Sequence, residues 1–159
     1  MAVSDWDPRY PVELQDYAWD CAAASTAWAL QAAGLPWTEQ LVIEGLGPSR
    51  ISPASGLLDA TGAGLVEWLA SIGVTAENAP DASFDDLEAM AGFQPSVCGG
   101  RGWNHWTGVR MGGYAFDGDA RGVILLANPS PGWLGVGQYL TSSASLPLGP
   151  FSAVWFTSW

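Results

Sequence analysis

Residues 21–33, Cys-Ala-Ala-Ala-Ser-Thr-Ala-Trp-Ala-Leu-Gln-Ala-Ala, constrain the fold of this chain more than any other stretch. Alanine has the highest intrinsic helix propensity, and it supplies most of the run. Asp20 ahead of it suits an N-cap, and Gly34 behind it suits a C-terminal stop. A helix over 21–33 is therefore expected, with Cys21 in its first turn. The apolar stretch inside it, 22–30, is interrupted by Ser25 and Thr26 and is far too short to cross a bilayer.

Weaker helical signals follow at 36–46, from Leu57 to Ile72, and at 84–91. Gly62 and Gly64 weaken the middle of the second of these and can break it in two. Ser83 with Asp86 three residues later is an acidic variant of the capping box. Beyond Gly92 the character changes. Segments 94–99, 105–111, 122–127 and 152–157 are rich in β-branched and aromatic residues between Gly and Pro punctuation, which reads as strands. Asp117-Gly118 suggests a turn between antiparallel neighbours. Helices first and strands second is an α+β order. With 159 residues and no repeat, low-complexity tract or long linker, one domain over 1–159 is expected.

Composition removes several classes of function. The chain has five Arg, no Lys and sixteen acidic residues, a formal charge of -11, so nucleic acid and anionic membrane surfaces are poor partners. Hydrophobic residues at 48% and charged residues at 13% argue for a packed core and against disorder. The first ten residues lack a positive-then-apolar pattern, so no signal peptide is expected. A cytoplasmic or particle-associated (phage) location fits that reading, and the sequence leaves the compartment open. One histidine and two distant cysteines exclude most metal chemistry, and neither metal nor cofactor is expected. Asp117-Gly118-Asp119 resembles a calcium loop only superficially, because Arg121 falls where a further ligand is required. Gly62-Ala63-Gly64 lacks the preceding strand and third Gly of a phosphate-binding turn, and no Gly-x-Ser-x-Gly elbow occurs.

The remaining candidates for chemistry converge on Cys21. A thiol in the first turn of a helix sees the positive end of the backbone dipole, which favours thiolate. His105, the single histidine, opens an expected strand. Asn128 ends another apolar run and can orient an imidazole. Cys, His and Asn far apart in sequence are one chain order for thiol hydrolases. Such chemistry also needs donors for a tetrahedral oxyanion. The Cys21 N–H supplies one, and the side-chain amide of Gln15, six residues earlier, can supply another.

These residues resemble papain-like cysteine peptidases. Gln15-Asp16-Tyr17-Ala18-Trp19-Asp20-Cys21 carries that fold's spacing of oxyanion Gln to nucleophile, and the Asp-Cys pair with small residues after it is similar to the bacteriocin-processing, double-glycine branch. His105-Trp106-Thr107-Gly108-Val109 and Leu125-Leu126-Ala127-Asn128-Pro129 resemble that branch's histidine strand and orienting position, with Asn in place of its usual Asp. The resemblance implies N-terminal helices, with the nucleophile at a helix N-terminus, packed on a C-terminal antiparallel sheet. It implies a stand-alone peptidase or amidase in which Cys21 attacks, His105 transfers protons, Asn128 orients and Gln15 stabilises the oxyanion. Ala22 departs from the usual Gly after the nucleophile, and no exporter domains accompany the motif.

Trp19 and Trp103 are candidate walls of a substrate cleft, whereas Trp106 reads as packing. The expected substrate is a peptide, including peptidoglycan peptides or small-residue sites. Cys98 reads as a buried strand cysteine. A redox pair of Cys21 with Cys98 is disfavoured by the absence of Cys-x-x-Cys. The alternative from another class is a papain-like scaffold retained as a structural or binding component of a larger phage or secretion assembly, with an assembly partner. The segment 132–150 is long enough to cover the site.

Overall fold

The Ala-rich run forms the first helix, α1 (Cys21–Ala32), and Gly34 closes it with a left-handed φ of 82°. The computed structural model describes residues 15–90, 94–100, 105–111, 123–130, 137–142 and 150–159. Residues 21–30 are buried all around the helix, and small alanine side chains are what permit neighbouring elements to approach so closely on every side. Asp20 occupies the N-cap position but makes no capping bond. Its carboxylate instead accepts the Tyr17 N–H, at 3.2 Å to each oxygen.

Helix α2 (Glu39–Leu46) is capped by Thr38, whose side chain accepts the Leu41 N–H. A hairpin of β1 (Ile51–Ser52) and β2 (Gly56–Leu57) follows, then α3 (Ala63–Ser71). The helix expected from Leu57 therefore starts only at Ala63. The reason is local: Asp59 accepts the N–H groups of Thr61 and Gly64, so the backbone turns there instead of propagating a helix. Helix α4 (Phe84–Met90) begins at the expected box, with Asp86 Oδ2 accepting the Ser83 N–H and Ser83 Oγ accepting the Asp86 N–H.

The main sheet has the order β3-β8-β4-β5-β6-β7, every neighbouring pair antiparallel. Its strands are β3 (Thr75–Ala82), β4 (Ser96–Gly100), β5 (His105–Met111), β6 (Val123–Asn128), β7 (Gly137–Ser142) and β8 (Phe151–Ser158). The two end positions are the strands not expected from sequence. In β3, Thr-Ala-Glu-Asn-Ala-Pro-Asp-Ala has little β propensity, and Pro80 is tolerated because an edge strand need not donate on its free side. Strand β7 lies within the segment 132–150. The Asp117-Gly118 turn lies outside the described residues.

Period-two alternation splits the core between the faces of the sheet. Val97, Val154 and Phe156 pack with α1, α2 and α3, while Cys98, Ala153 and Phe151 pack with Ala82 and with Leu87 of α4. The architecture is α+β, with helices on an antiparallel sheet. Among the described residues no helix is long and apolar enough to cross a membrane.

Candidate active site

The start of α1 meets the sheet where β6 stops alongside β5. The β5–β6 register pairs Gly108 with Ala127 and, carried on, sets Asn128 opposite Thr107 and Pro129 opposite Trp106. Proline has no N–H to continue the ladder, and the Pro129 carbonyl accepts the Gln15 N–H at 3.0 Å. The backbone of Trp106 turns to α1 instead. Its N–H favours the thiolate form of Cys21, and Ser25 Oγ donates to its carbonyl at 3.0 Å. Cys21 and Ser25 stand one helical turn apart on the same face. One residue of β5 is thereby stitched to the helix that Cys21 opens.

His105 immediately precedes that stitch and is buried. It and Cys21 line one cleft of about 290 Å³, together with Trp19, the turn of the β1–β2 hairpin, Gly99 and Trp106. Two glycines shape the walls. A Cβ on Gly99 would fall 2.6 Å from the Trp106 indole, so only glycine lets that ring lie across β4. Gly56, at φ 67°, presses its hairpin against the Trp19 carbonyl, where a Cβ would stand at 2.8 Å. Trp19 also stacks on the exposed Tyr17, with centroids 5.6 Å apart at 11°.

The structure thus brings Cys21, His105 and Trp19 together. Asn128 ends β6 beside them in the backbone register, paired with Gly137 on its other side. Gln15 is held to the end of the same strand by its backbone. Its side-chain Nε2 is turned to the Tyr17 carbonyl and its Oε1 is buried without a partner. Gln15 does not line the cleft. Trp103 lies outside the described residues. Trp106 does more than pack, since its ring lines the cleft and its backbone carries the stitch. Sequence reasoning missed Ser25, although its place one turn after Cys21 was a signal. It also missed Gly99 and the hairpin wall, which depend on tertiary contacts that no local pattern reports.

Burial is the largest influence on Cys21, which is only 8% exposed, and it pushes the thiol above its ordinary range. The N–H groups of Trp106 and Ala22 pull it back, the Asp20 charge pushes it up again, and its own N–H lowers it. The expectation that a helix N-terminus would favour thiolate is thus outweighed, for the thiol considered without an imidazolium, by removal from water. Cys98 is pushed up to about 12 by complete burial, with Thr107 Oγ1 3.6 Å from its sulfur. Both cysteines are free, and Cys98 belongs to the core on the α4 face, which leaves the redox pairing without support.

Behind Cys21 stands a feature with no sequence signal. Asp20 and Glu39 are both buried, and their carboxyl groups are hydrogen-bonded to each other. Glu39 also accepts the Asp16 N–H at 3.2 Å. A helix N-terminus favours an ionised carboxylate by only about 0.3–1 kcal/mol. Burial first, and then the bond to Asp20, overcome that and raise Glu39 to about 8. Two acids bonded to one another require a proton between them. Among the described residues no group of three or more His, Cys, Asp or Glu could hold a metal ion.

An α1-type helix presenting a cysteine to a histidine strand on an antiparallel sheet is the architecture of papain-like peptidases. Comparison with solved structures agrees. The chain is similar to a double-glycine-motif protease from an AMS/PCAT transporter, solved with its leader peptide (TM-score 0.65, 19% identity, 92% of this chain and 90% of that one). It is also similar to the peptidase domain of Streptococcus ComA, a bifunctional ABC transporter involved in a quorum-sensing pathway (TM-score 0.63, 16% identity, 91% and 96%). No family model matches the chain, and no curated protein sequence matches it. The fold is therefore papain-like, with double-glycine peptidase domains as structural neighbours.

Proposed function

We propose that this protein is a cysteine peptidase or amidase that cleaves peptide amide bonds through an acyl-enzyme. Cys21 attacks the carbonyl, His105 takes its proton and returns it to the leaving amine, and Asn128 orients the imidazole. The Cys21 N–H and the Gln15 amide stabilise the oxyanion, Gln15 by rotating away from Tyr17 as substrate enters. The observation that carries this reading is the shared cleft, in which Cys21 opens a helix, His105 opens a strand, and Trp106 binds the two elements together. Peptide substrates are supported by the neighbour solved with a leader peptide. Within that class, small-residue sites and peptidoglycan peptides are the substrates we propose to test first.

The test is cleavage of a panel of short peptides, some with paired glycines and some from peptidoglycan stems, read by mass spectrometry. Wild type is expected to cleave at least one class, Cys21→Ala none, and His105→Ala slower by about 10²–10⁴-fold. Undiminished cleavage by a folded Cys21→Ala protein would sink the proposal. The buried, upshifted thiol favours a second reading, a binding module on the same scaffold. A protein in which Cys21→Ala changes no turnover and leaves partner capture intact supports that one.

A further inference from the structure

We propose that Glu39 is a positioning residue for Cys21, acting through Asp20 as a proton-dependent clasp. This rests on the reading of Cys21 as nucleophile and deepens it. The geometry has three parts. The Glu39 carboxyl meets the Asp20 carboxyl, Glu39 Oε1 accepts the Asp16 N–H at 3.2 Å, and the Asp20 carboxylate accepts the Tyr17 N–H. Both ends of the segment that carries Gln15 into Cys21 are thereby tied to the first turn of α2. Neither acid is solvated, with Asp20 at 0% and Glu39 at 6% exposure.

The proton is what makes the clasp attractive. With Glu39 protonated, the pair carries one negative charge next to Cys21. When Glu39 ionises it carries two, the donor between the acids is lost, and each anion opposes a thiolate on the adjacent residue. Asp20 already acts in that sense on Cys21. The ionisable groups on the neighbouring elements are mostly acidic, with Arg50 already paired to Glu67. Asp16 and Asp20 lie on the lead-in segment and Cys21 on α1, where His105 shares its cleft. On α2, Glu44 accepts the Gln40 amide, and on α3 Glu67 pairs with Arg50 at 3.5 Å. The groups that set the charge of Glu39 are burial, Asp20 and Asp16, with no cation among them. A glutamine at 39 reproduces the protonated acid, because its amide donates to Asp20 and its carbonyl accepts from Asp16, and it does not titrate.

The experiment follows Cys21 alkylation by iodoacetamide from about pH 6.5 to about pH 9 in wild type and Glu39→Gln, quantified by peptide mass spectrometry. Carbon NMR of the Glu39 carboxyl in wild type runs alongside. The expected result is a Glu39 midpoint above neutrality and a variant-to-wild-type rate ratio that grows at least about threefold across that range. A Glu39 midpoint in the ordinary carboxylate range, or a ratio that stays flat with pH, overturns the proposal. Should Glu39→Gln not fold, the wild type decides alone. A break in its alkylation profile at the Glu39 midpoint supports the clasp, and a profile without one refutes it. Alkylation needs no substrate, so a chain that cleaves no peptide still reports on the clasp. Intact cleavage with a flat ratio overturns this inference and leaves the peptidase reading standing.

Discussion

Removing one hydroxyl tests whether the stitch between α1 and β5 holds the site. Ser25 is 1% exposed, and its Oγ donates to the Trp106 carbonyl at 3.0 Å across 81 residues of sequence. In Ser25→Ala a buried carbonyl is left without its donor, which costs ~1–3 kcal/mol. That loss corresponds to a melting-temperature drop of roughly 2–12 °C for a chain of this size. The neighbouring Thr26 supplies the control. Its Oγ1 donates at 2.7 Å to the Ala22 carbonyl within α1, a carbonyl of the helix's own ladder. Thr26→Val should therefore cost less than about 1 kcal/mol. Calorimetry gives the melting temperatures, and the Cys21 alkylation rate at fixed pH reports the site. Ser25→Ala is expected to slow alkylation, because loosening Trp106 removes an N–H that stabilises the thiolate. A Ser25→Ala protein that melts within a degree of wild type, or a Thr26→Val protein that loses more, refutes the reasoning.

Gly99→Ala drives a Cβ to 2.6 Å from the Trp106 indole, so it should destabilise by about 1–3 kcal/mol in urea titration and reduce peptide cleavage together with stability. Glu39 makes stability depend on pH with a fixed sign. Its folded pKa is raised from 4.5 to about 8, so its contribution is complete below about 4.5 and is lost as pH rises toward about 8, by at most ~1.4 kcal/mol per unit. Urea midpoints should fall across that window in wild type, and Glu39→Gln should lack that component. Cys98, fully buried and pushed up to about 12, should resist iodoacetamide in the folded protein and react once denatured, as peptide mapping will show. Ser83→Ala removes one half of the α4 box and should lower the unfolding free energy from urea titration by about 1 kcal/mol while leaving Cys21 alkylation unchanged.

Elements with a strong local cause were legible in the sequence. Alanine content wrote α1, Gly34 its end, the Ser83–Asp86 pair the start of α4, and β-branched runs the inner strands β4, β5, β6 and β8. The outer strands were not legible, because β3 and β7 are strands by virtue of the neighbours they pair with rather than their own residues. Leu57 was read as helical because its apolar spacing fits a helix. The Asp59 side chain, bonding the backbone at Thr61 and Gly64, overrides that spacing. Within the site, Cys21 and His105 were legible by type and order. Glu39 was not, since a glutamate opening a helix after Thr38 reads as an ordinary solvated first-turn acid. Only the tertiary approach of Asp20 turns it into a buried one.

The burial of Cys21 does not by itself argue against a nucleophile, because low polarizability around the thiol acts on two quantities at once. It makes a lone thiolate expensive, which is the upward push seen for the thiol alone. It also strengthens the attraction between a thiolate and an imidazolium that share the same enclosed space, since the Coulomb energy scales inversely with the effective dielectric constant. Proton transfer from Cys21 to His105 creates both charges together, so the relevant equilibrium belongs to the pair. In the proposed enzyme the second effect wins only while the surroundings add no further negative charge. That condition places the single proton of the Asp20–Glu39 pair and the Trp106 N–H on the same side of the balance. His105→Ala separates the terms. With the imidazole gone, alkylation should follow the lone thiol and rise only above the ordinary thiol range, whereas a wild-type profile just as alkaline would show that the pair never ionises and would end the peptidase reading.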